Sequence, residues 1–297
     1  MLTDFHIALQ ALRPIQWPHF AGGRIRGAWG RALRQAACIT GQPSCDGCAV
    51  RSRCSYGVVF DPAAPAQPLH PSFRNGMPAY VVQPPPLGAR QLRPGESAGF
   101  TLRLLTSAQS HNSLIEHVLR DAVHHQLFNP GDCSVLSCEQ VSVPVPAFSP
   151  AVGDAPLGGF HIEWLTPLRL QLKGKPLFRP QDLDACTLIA AGWRRYLQWC
   201  QLSGQPPVAA IPPLAEARRC HLTTHQTQWH DISRYSNTQQ KHLPLGGLLG
   251  HAILTGPDDA LGSLAPVLRL GELLHIGKET VFGLGRYQLR TQASNRG

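Results

Sequence analysis

Four cysteines crowd one short window, Cys38-x6-Cys45-x2-Cys48-x5-Cys54, and include one tight pair. Thiolates at this spacing can close a tetrahedral zinc site that pins an irregular loop, with free thiols and an iron–sulfur cluster as the competing readings. No partner for a cysteine nucleophile is recognisable. Cys133, Cys138, Cys186, Cys200 and Cys220 are scattered and read as core or surface thiols. The second concentration of chemistry is HIGKETVFGLG, from His275 to Gly285, where three glycines surround a lysine. Such glycines imply a backbone that bends sharply or lies against something. Their amides, with Lys278 as a mobile charge, could meet a phosphate. A plain helix-to-strand turn accounts for the same residues. The spacing is not that of a P-loop, which argues against nucleoside triphosphate binding.

The formal net charge is +9, and of 27 Lys plus Arg only four are lysines. Arginine forks onto phosphate and stacks on bases, so a polyanionic partner is favoured; a GC-rich genome would also enrich arginine. No long apolar run is present, and MLTDFHIALQAL lacks a basic start. The expectation is a cytoplasmic protein without a membrane partner.

The elements that must position these residues follow from periodicity. A length of 297 residues fits two domains of about 150 residues each. FHIALQAL alternates as a strand, and FAGGRIRGAWGRALRQAACI has helical spacing at Ile25, Ala28, Trp29, Ala32, Leu33 and Ala36. After the cysteine loop and a proline-rich stretch containing the short strand AYVV, GFTLRLLT reads as a strand. HNSLIEHVLRDAVHHQLF is a helix and SVLSCEQVSVPV a strand. A Pro/Gly-rich linker spans 143–158.

The pattern then recurs. FHIEWLTPLRLQL is a strand pair or one bent strand, LDACTLIAAGWRRYLQWCQL a helix, and TTHQTQWHDISRYS and GGLLGHAILTG strands. DDALGSLAPVLRLGELLHI is a helix and FGLGRYQLR the last strand. The fold class is α+β: two tandem ferredoxin-like (RRM-like) domains, 1–148 with the cysteine loop 38–54 and 157–297 with the glycine-rich loop 275–285.

Gly277, then KETVF, then Gly283-Leu284-Gly285 resembles the glycine-rich loop of the RAMP superfamily of CRISPR systems, with His275 where the family often has its first glycine. RYSNTQQKHLPLGGLLG, TPLRLQLKG and GWRRYLQWCQLSG are similar to the C-terminal half of the CRISPR repeat-RNA-processing endoribonucleases. GGRIRGAWGRALRQAACITGQPSCDGCAVRSRC resembles the cysteine-containing branch of that family. The resemblance implies a positively charged path for a repeat RNA and a metal-independent cut, in which a ribose 2′-hydroxyl attacks the adjacent phosphate to leave a 2′,3′-cyclic phosphate. Catalysis would need no cofactor, and any zinc would be structural.

By the same resemblance His19, at the entrance to the first helix, is the histidine expected to move protons, although an ordinary turn histidine is the alternative. No tyrosine precedes Tyr56 and no lysine precedes Lys173, so Arg24, Arg26 and Arg31 would supply the transition-state charge. Tyr235 and His275 are further catalytic candidates. Arg31, Arg234, Gln240, Lys241, Gly277, Lys278, Gly283, Gly285 and Arg286 are expected to contact RNA, and other CRISPR effector subunits are possible partners. The alternative function is a catalytically inactive RAMP subunit that binds crRNA. A zinc-dependent interaction module unrelated to RNA would leave the C-terminal motifs unexplained.

Overall fold

The structure, a computed structural model, describes residues 1–148, 158–172, 174–236 and 241–292. Residues 149–157 of the expected linker lie outside that set. The chain divides into two compact units, Met1–Pro144 with Gln198–Gln205, and Val145–Leu197 with Pro206–Gly297.

In the first unit, β1 (Leu2–Ala11) is followed by α1 (Gly22–Ala37), β2 (Tyr80–Gln83), β3 (Ser97–Leu104), α2 (Asn112–His125) and β4 (Cys133–Val143). The antiparallel sheet has the order β2-β3-β1-β4. Phe5, Ile7 and Leu9 alternate along β1 and are buried, as a half-covered strand requires. Helix α1 buries Ile25, Ala28, Trp29, Ala32 and Leu33, one stripe at helical spacing. Ala36 departs from the expected stripe and is exposed in the last turn. Trp29 meets Tyr80 edge to face at a centroid distance of 4.8 Å, tying α1 to β2.

The second unit repeats the plan with β5 (Phe160–Trp164), α3 (Ala185–Ser203, in this unit through Leu197), β6 (His221–His230), β7 (Gly247–Thr255), α4 (Asp258–Leu274) and β8 (Tyr287–Thr291). Its sheet order is β6-β7-β5-β8. In both units the sheet runs second, third, first, fourth strand, the ferredoxin-like arrangement expected from the element order. Phe160, Ile162, Trp164, Ala252, Leu254 and Tyr287 fill the covered face. Gly192 of α3 lies so close to Val267 of α4 that an added Cβ would stand 2.7 Å from its side chain, which makes this a close helix crossing. Among the described residues no helix is long and apolar enough to cross a membrane.

Candidate RNA-processing site

The glycine-rich segment starts where α4 ends. Helix C-termini leave carbonyls without partners, and here the buried Arg195 guanidinium donates through Nε to the carbonyls of Leu274 (3.0 Å) and His275 (3.1 Å). Burial pushes the Arg195 pKa down to about 10, still cationic at neutral pH. His275 is fully buried and holds φ 59°, ψ 159°, a region occupied almost only by glycine. This backbone demand gives a physical reason for a glycine at the position, and it places the His275 ring away from solvent.

Beyond His275 the backbone visits positive φ at Gly277 (98°), Glu279 (62°), Gly283 (93°) and Gly285 (71°). Close approach explains the glycines as much as φ does. A Cβ on Gly277 would lie 2.5 Å from the Arg169 carbonyl, and one on Gly285 would overlap the Ile276 carbonyl. The Lys278 amide donates to Arg169 O and the Gly285 amide to Pro167 O (both 2.9 Å), while the Gly283 amide closes a turn on Thr280 O. Thr166 Oγ1 donates to Gly283 O at 2.6 Å and accepts from the Arg286 amide at 2.9 Å. The expected amide cradle is therefore corrected: the Lys278, Gly283 and Gly285 amides already serve internal carbonyls. The exposed Lys278 side chain and the half-exposed Arg286 are the groups that can reach an anion.

Arg234 and Tyr235 lie on a short hairpin, Ser233–Ser236 paired with Lys241–Pro244, in which Tyr235 faces His242 and Ser236 faces Lys241 across the ladder. Only the backbone is described there, and Gln240 lies outside the described residues.

In the first unit His19 is exposed just before α1, and its carbonyl accepts from the Gly88 amide at 3.0 Å. Arg24 and Arg31 are seven residues apart, two helical turns, and share a flank of α1. Arg24 donates to Leu127 O (3.3 Å) and sits over the Phe128 ring, and Arg31 donates to Gln126 Oε1 and O (both 3.0 Å). Both meet the carbonyl end of α2, where a cation is favourable. Open cavities of about 370 Å³ around Arg24, Gln16 and Asn129, and about 390 Å³ around Arg31, Arg34 and Gln42, flank these contacts.

Arg26 points elsewhere, 4.4 Å over the Phe60 ring, so the three arginines do not converge. Burial pushes the neighbouring Tyr80 phenol up to about 12, opposed by Arg26, and also raises Tyr56. Neither phenol is poised to act as a base near neutral pH.

All four loop cysteines line one cavity of about 20 Å³, room for a single atom-sized guest. Thr40 Oγ1 lies 3.8 Å from both Cys38 Sγ and Cys48 Sγ. The Gly41 and Thr40 amides and the Thr40 hydroxyl pull the Cys38 thiol pKa down, whereas burial, then Asp61, pushes Cys45 up. Among the described residues no group of three or more His, Cys, Asp or Glu side chains is placed to hold a metal ion. The sulfurs share a cavity without forming a ligand set.

Sequence reading missed two constellations. Ser55 Oγ and His111 Nδ1 are 3.0 Å apart, and His161, His251 and His225 form a chain of ring contacts on the second sheet. Strand alternation held a signal for the second: His161 and His251 stand at polar positions between buried Phe160 and Ile162 and beside buried Ala252.

Paired ferredoxin-like units, with a glycine-rich loop ahead of the last strand, define the class as an α+β protein of tandem ferredoxin-like domains. Residues 162–287 match the family model of the CRISPR-associated endoribonuclease Cas6, and residues 1–143 match a family described as an N-terminal domain. The Cas6 match lies within the C-terminal unit and takes in under half of the chain.

Among solved structures, a partial Cas6-RT-Cas1–Cas2 complex is 14% identical at a TM-score of 0.59, covering 98% of this chain and 46% of that one. The chain spans 29% of its counterpart in a second Cas6-RT-Cas1–Cas2 complex. Thermus thermophilus Cas6 aligns at TM-score 0.55 and 14% identity over 98% of both chains. A RAMP protein binding different RNA substrates aligns at TM-score 0.50 and 12% identity, over 97% of this chain and 99% of that one. At these identities the likeness is one of fold. No curated protein matches the chain.

Proposed function

We propose that the chain is an endoribonuclease that cuts a CRISPR precursor RNA within its repeat. The observation that carries this reading is the match of residues 162–287 to the Cas6 endoribonuclease model, in a unit joined to a first unit of the same topology. In the reaction a ribose 2′-hydroxyl loses its proton and attacks the adjacent phosphorus, and the P–O5′ bond breaks. The departing oxygen takes a proton, leaving a 2′,3′-cyclic phosphate and a 5′-hydroxyl. The chain must hold the attack in line, move two protons and stabilise the phosphorane charge.

His19 is the exposed imidazole at the entrance to α1 and is our candidate for proton transfer. Arg24 and Arg31, both exposed on one flank, are the candidates for phosphate charge, with Arg26 held back by its stack on Phe60. His275, being fully buried, suits the fold of the glycine-rich loop better than proton transfer. Tyr235, on the short hairpin, stays a further catalytic candidate. The repeat RNA and other CRISPR proteins are the proposed partners.

Purified protein incubated with repeat RNA in EDTA should yield one cut with a cyclic phosphate and a 5′-hydroxyl. Tight binding with no cut would favour a crRNA-binding subunit instead.

Lys278 is the exposed cation of the glycine-rich loop. Lys278→Ala should weaken binding of all RNA sequences alike and lower the slope of log K against log salt by about 0.7–0.9, one phosphate contact. Fluorescence anisotropy across a salt series measures this, and an unchanged slope removes Lys278 from the interface.

Zinc in the cysteine cavity is a separate structural proposal, supported by four thiols lining one small space. Cys38, Cys45, Cys48 and Cys54 would hold it after turning their sulfurs inward, and the ion would fix the loop after α1. About one zinc per chain is expected by metal analysis, with lower metal content and lower thermal stability in Cys45→Ser. Metal-free protein with four freely titrating thiols contradicts it.

A further inference from the structure

The open face of the second sheet carries an unusual set of side chains. On β5, β7 and β8 the residues Phe160, Ile162, Trp164, Ala252, Leu254 and Tyr287 point into the core. Alternation sends their neighbours the other way. His225 on β6 pairs directly with His251 on β7, and His251 pairs with Glu163 on β5. His161 sits diagonally from His251 and directly opposite Arg290 on β8. The imidazoles meet across three adjacent strands: His161 and His251 have centroids 5.1 Å apart at 33°, and His251 and His225 are stacked at 5.4 Å and 14°.

We propose that this ladder of His161, His251 and His225 is a stacking platform for the bases of an unpaired RNA segment. The inference rests on the RNA-processing reading and adds a binding site outside both the glycine-rich loop and α1. Three imidazoles stand in one row on neighbouring strands, where a solvated sheet more commonly presents Thr, Lys or Glu. Bases stack on histidine and other aromatic rings without regard to sequence, because every base has a π-face.

The surroundings fit an RNA strand. Arg290, 61% exposed, stands beside His161 and forms a long ion pair with Glu163 (3.6 Å), which offsets the carboxylate on this face. Gln288 beside it and Thr223 and His221 at the other edge offer hydrogen bonds to sugar and phosphate. A protein partner would want an apolar centre; this face offers the half-buried Leu249 and Ile253 beside the imidazoles. The net charge of +9 favours a polyanion as well.

The test uses the full chain and a fluorescein-labelled oligoadenylate of about a dozen nucleotides. Anisotropy titrations should show that His251→Ala and His225→Ala each weaken binding about tenfold or more, whereas His251→Phe, which keeps a ring, binds within about threefold of wild type. Matched thermal unfolding controls for folding.

Alanine variants that bind like wild type overturn the platform. So does a phenylalanine variant as weak as alanine, since the imidazole would then act through its nitrogens. Cutting of repeat RNA by the wild type is measured in parallel. If the wild type cuts and the alanine variants bind normally, only the platform fails. If the wild type neither binds nor cuts repeat RNA, the underlying reading fails with it.

Discussion

Gly285→Ala is expected to destabilise the second unit by about 3 kcal/mol or more, a large value for one methyl group. Two costs add. The residue holds φ 71°, where a side chain costs about 1 kcal/mol. The new Cβ would also be driven into the Ile276 carbonyl, which is backbone and cannot swing aside. Relief would require breaking the paired contacts that close the loop, Ile276 N–H to Gly285 O and Gly285 N–H to Pro167 O, both 2.9 Å.

For a unit of this size the expected fall in melting temperature is about 6–12 °C. Gly131→Ala is the control: Gly131 also has positive φ, 83°, but nothing lies within 4 Å of its Cβ position. It should lose only the conformational part, about 1 kcal/mol. Equal melting temperatures for the two variants would show that the close approach at Gly285 is not what its glycine serves. Lower RNA affinity in Gly285→Ala should accompany the melting shift, because the same loop carries Lys278.

Regular elements were legible wherever alternation or helical spacing was long and uninterrupted, as in β1, α1 and α4. Recurrence of the order gave the tandem ferredoxin-like architecture. Legibility ended where proline or local geometry overrode pattern. FHIEWLTPLRLQL stops as a strand at Trp164, ahead of Pro167, and resumes only as the short pair Gln171–Leu172 with Lys175–Pro176. TTHQTQWHDISRYS is interrupted at Asp231 and Ile232, so its two pieces join different sheets.

Asp4 and Arg103 form a buried bidentate pair, with both bonds at 2.7 Å. A polar residue on each of two strands gives no sign of partnership until register is known. The candidate site was legible as residue types, not as arrangement. His19, Arg24 and Arg31 are identifiable in sequence, yet only the fold separates Arg26 from the other arginines and seals His275 inside. The imidazole ladder draws on strands far apart in sequence, and the internal use of the glycine-loop amides depends on Pro167 and Arg169, more than a hundred residues upstream.

In the proposed reaction the RNA supplies its own nucleophile, a ribose 2′-hydroxyl, and the protein aligns it, moves the protons and stabilises the phosphorane. A repeat RNA carrying a single 2′-deoxyribose immediately 5′ of the scissile phosphate tests this most directly. The substitution removes the nucleophile and one hydroxyl among many contacts, so binding should stay within a few-fold of the all-ribose repeat. Cutting at that phosphate should be abolished, because neither an in-line attack nor a cyclic phosphate can form without the 2′-oxygen. Single-turnover cleavage with equal saturation of both substrates gives the comparison. Loss of the cut with retained binding is the predicted result, and continued cleavage of the deoxy-substituted RNA at the same phosphate would contradict the mechanism.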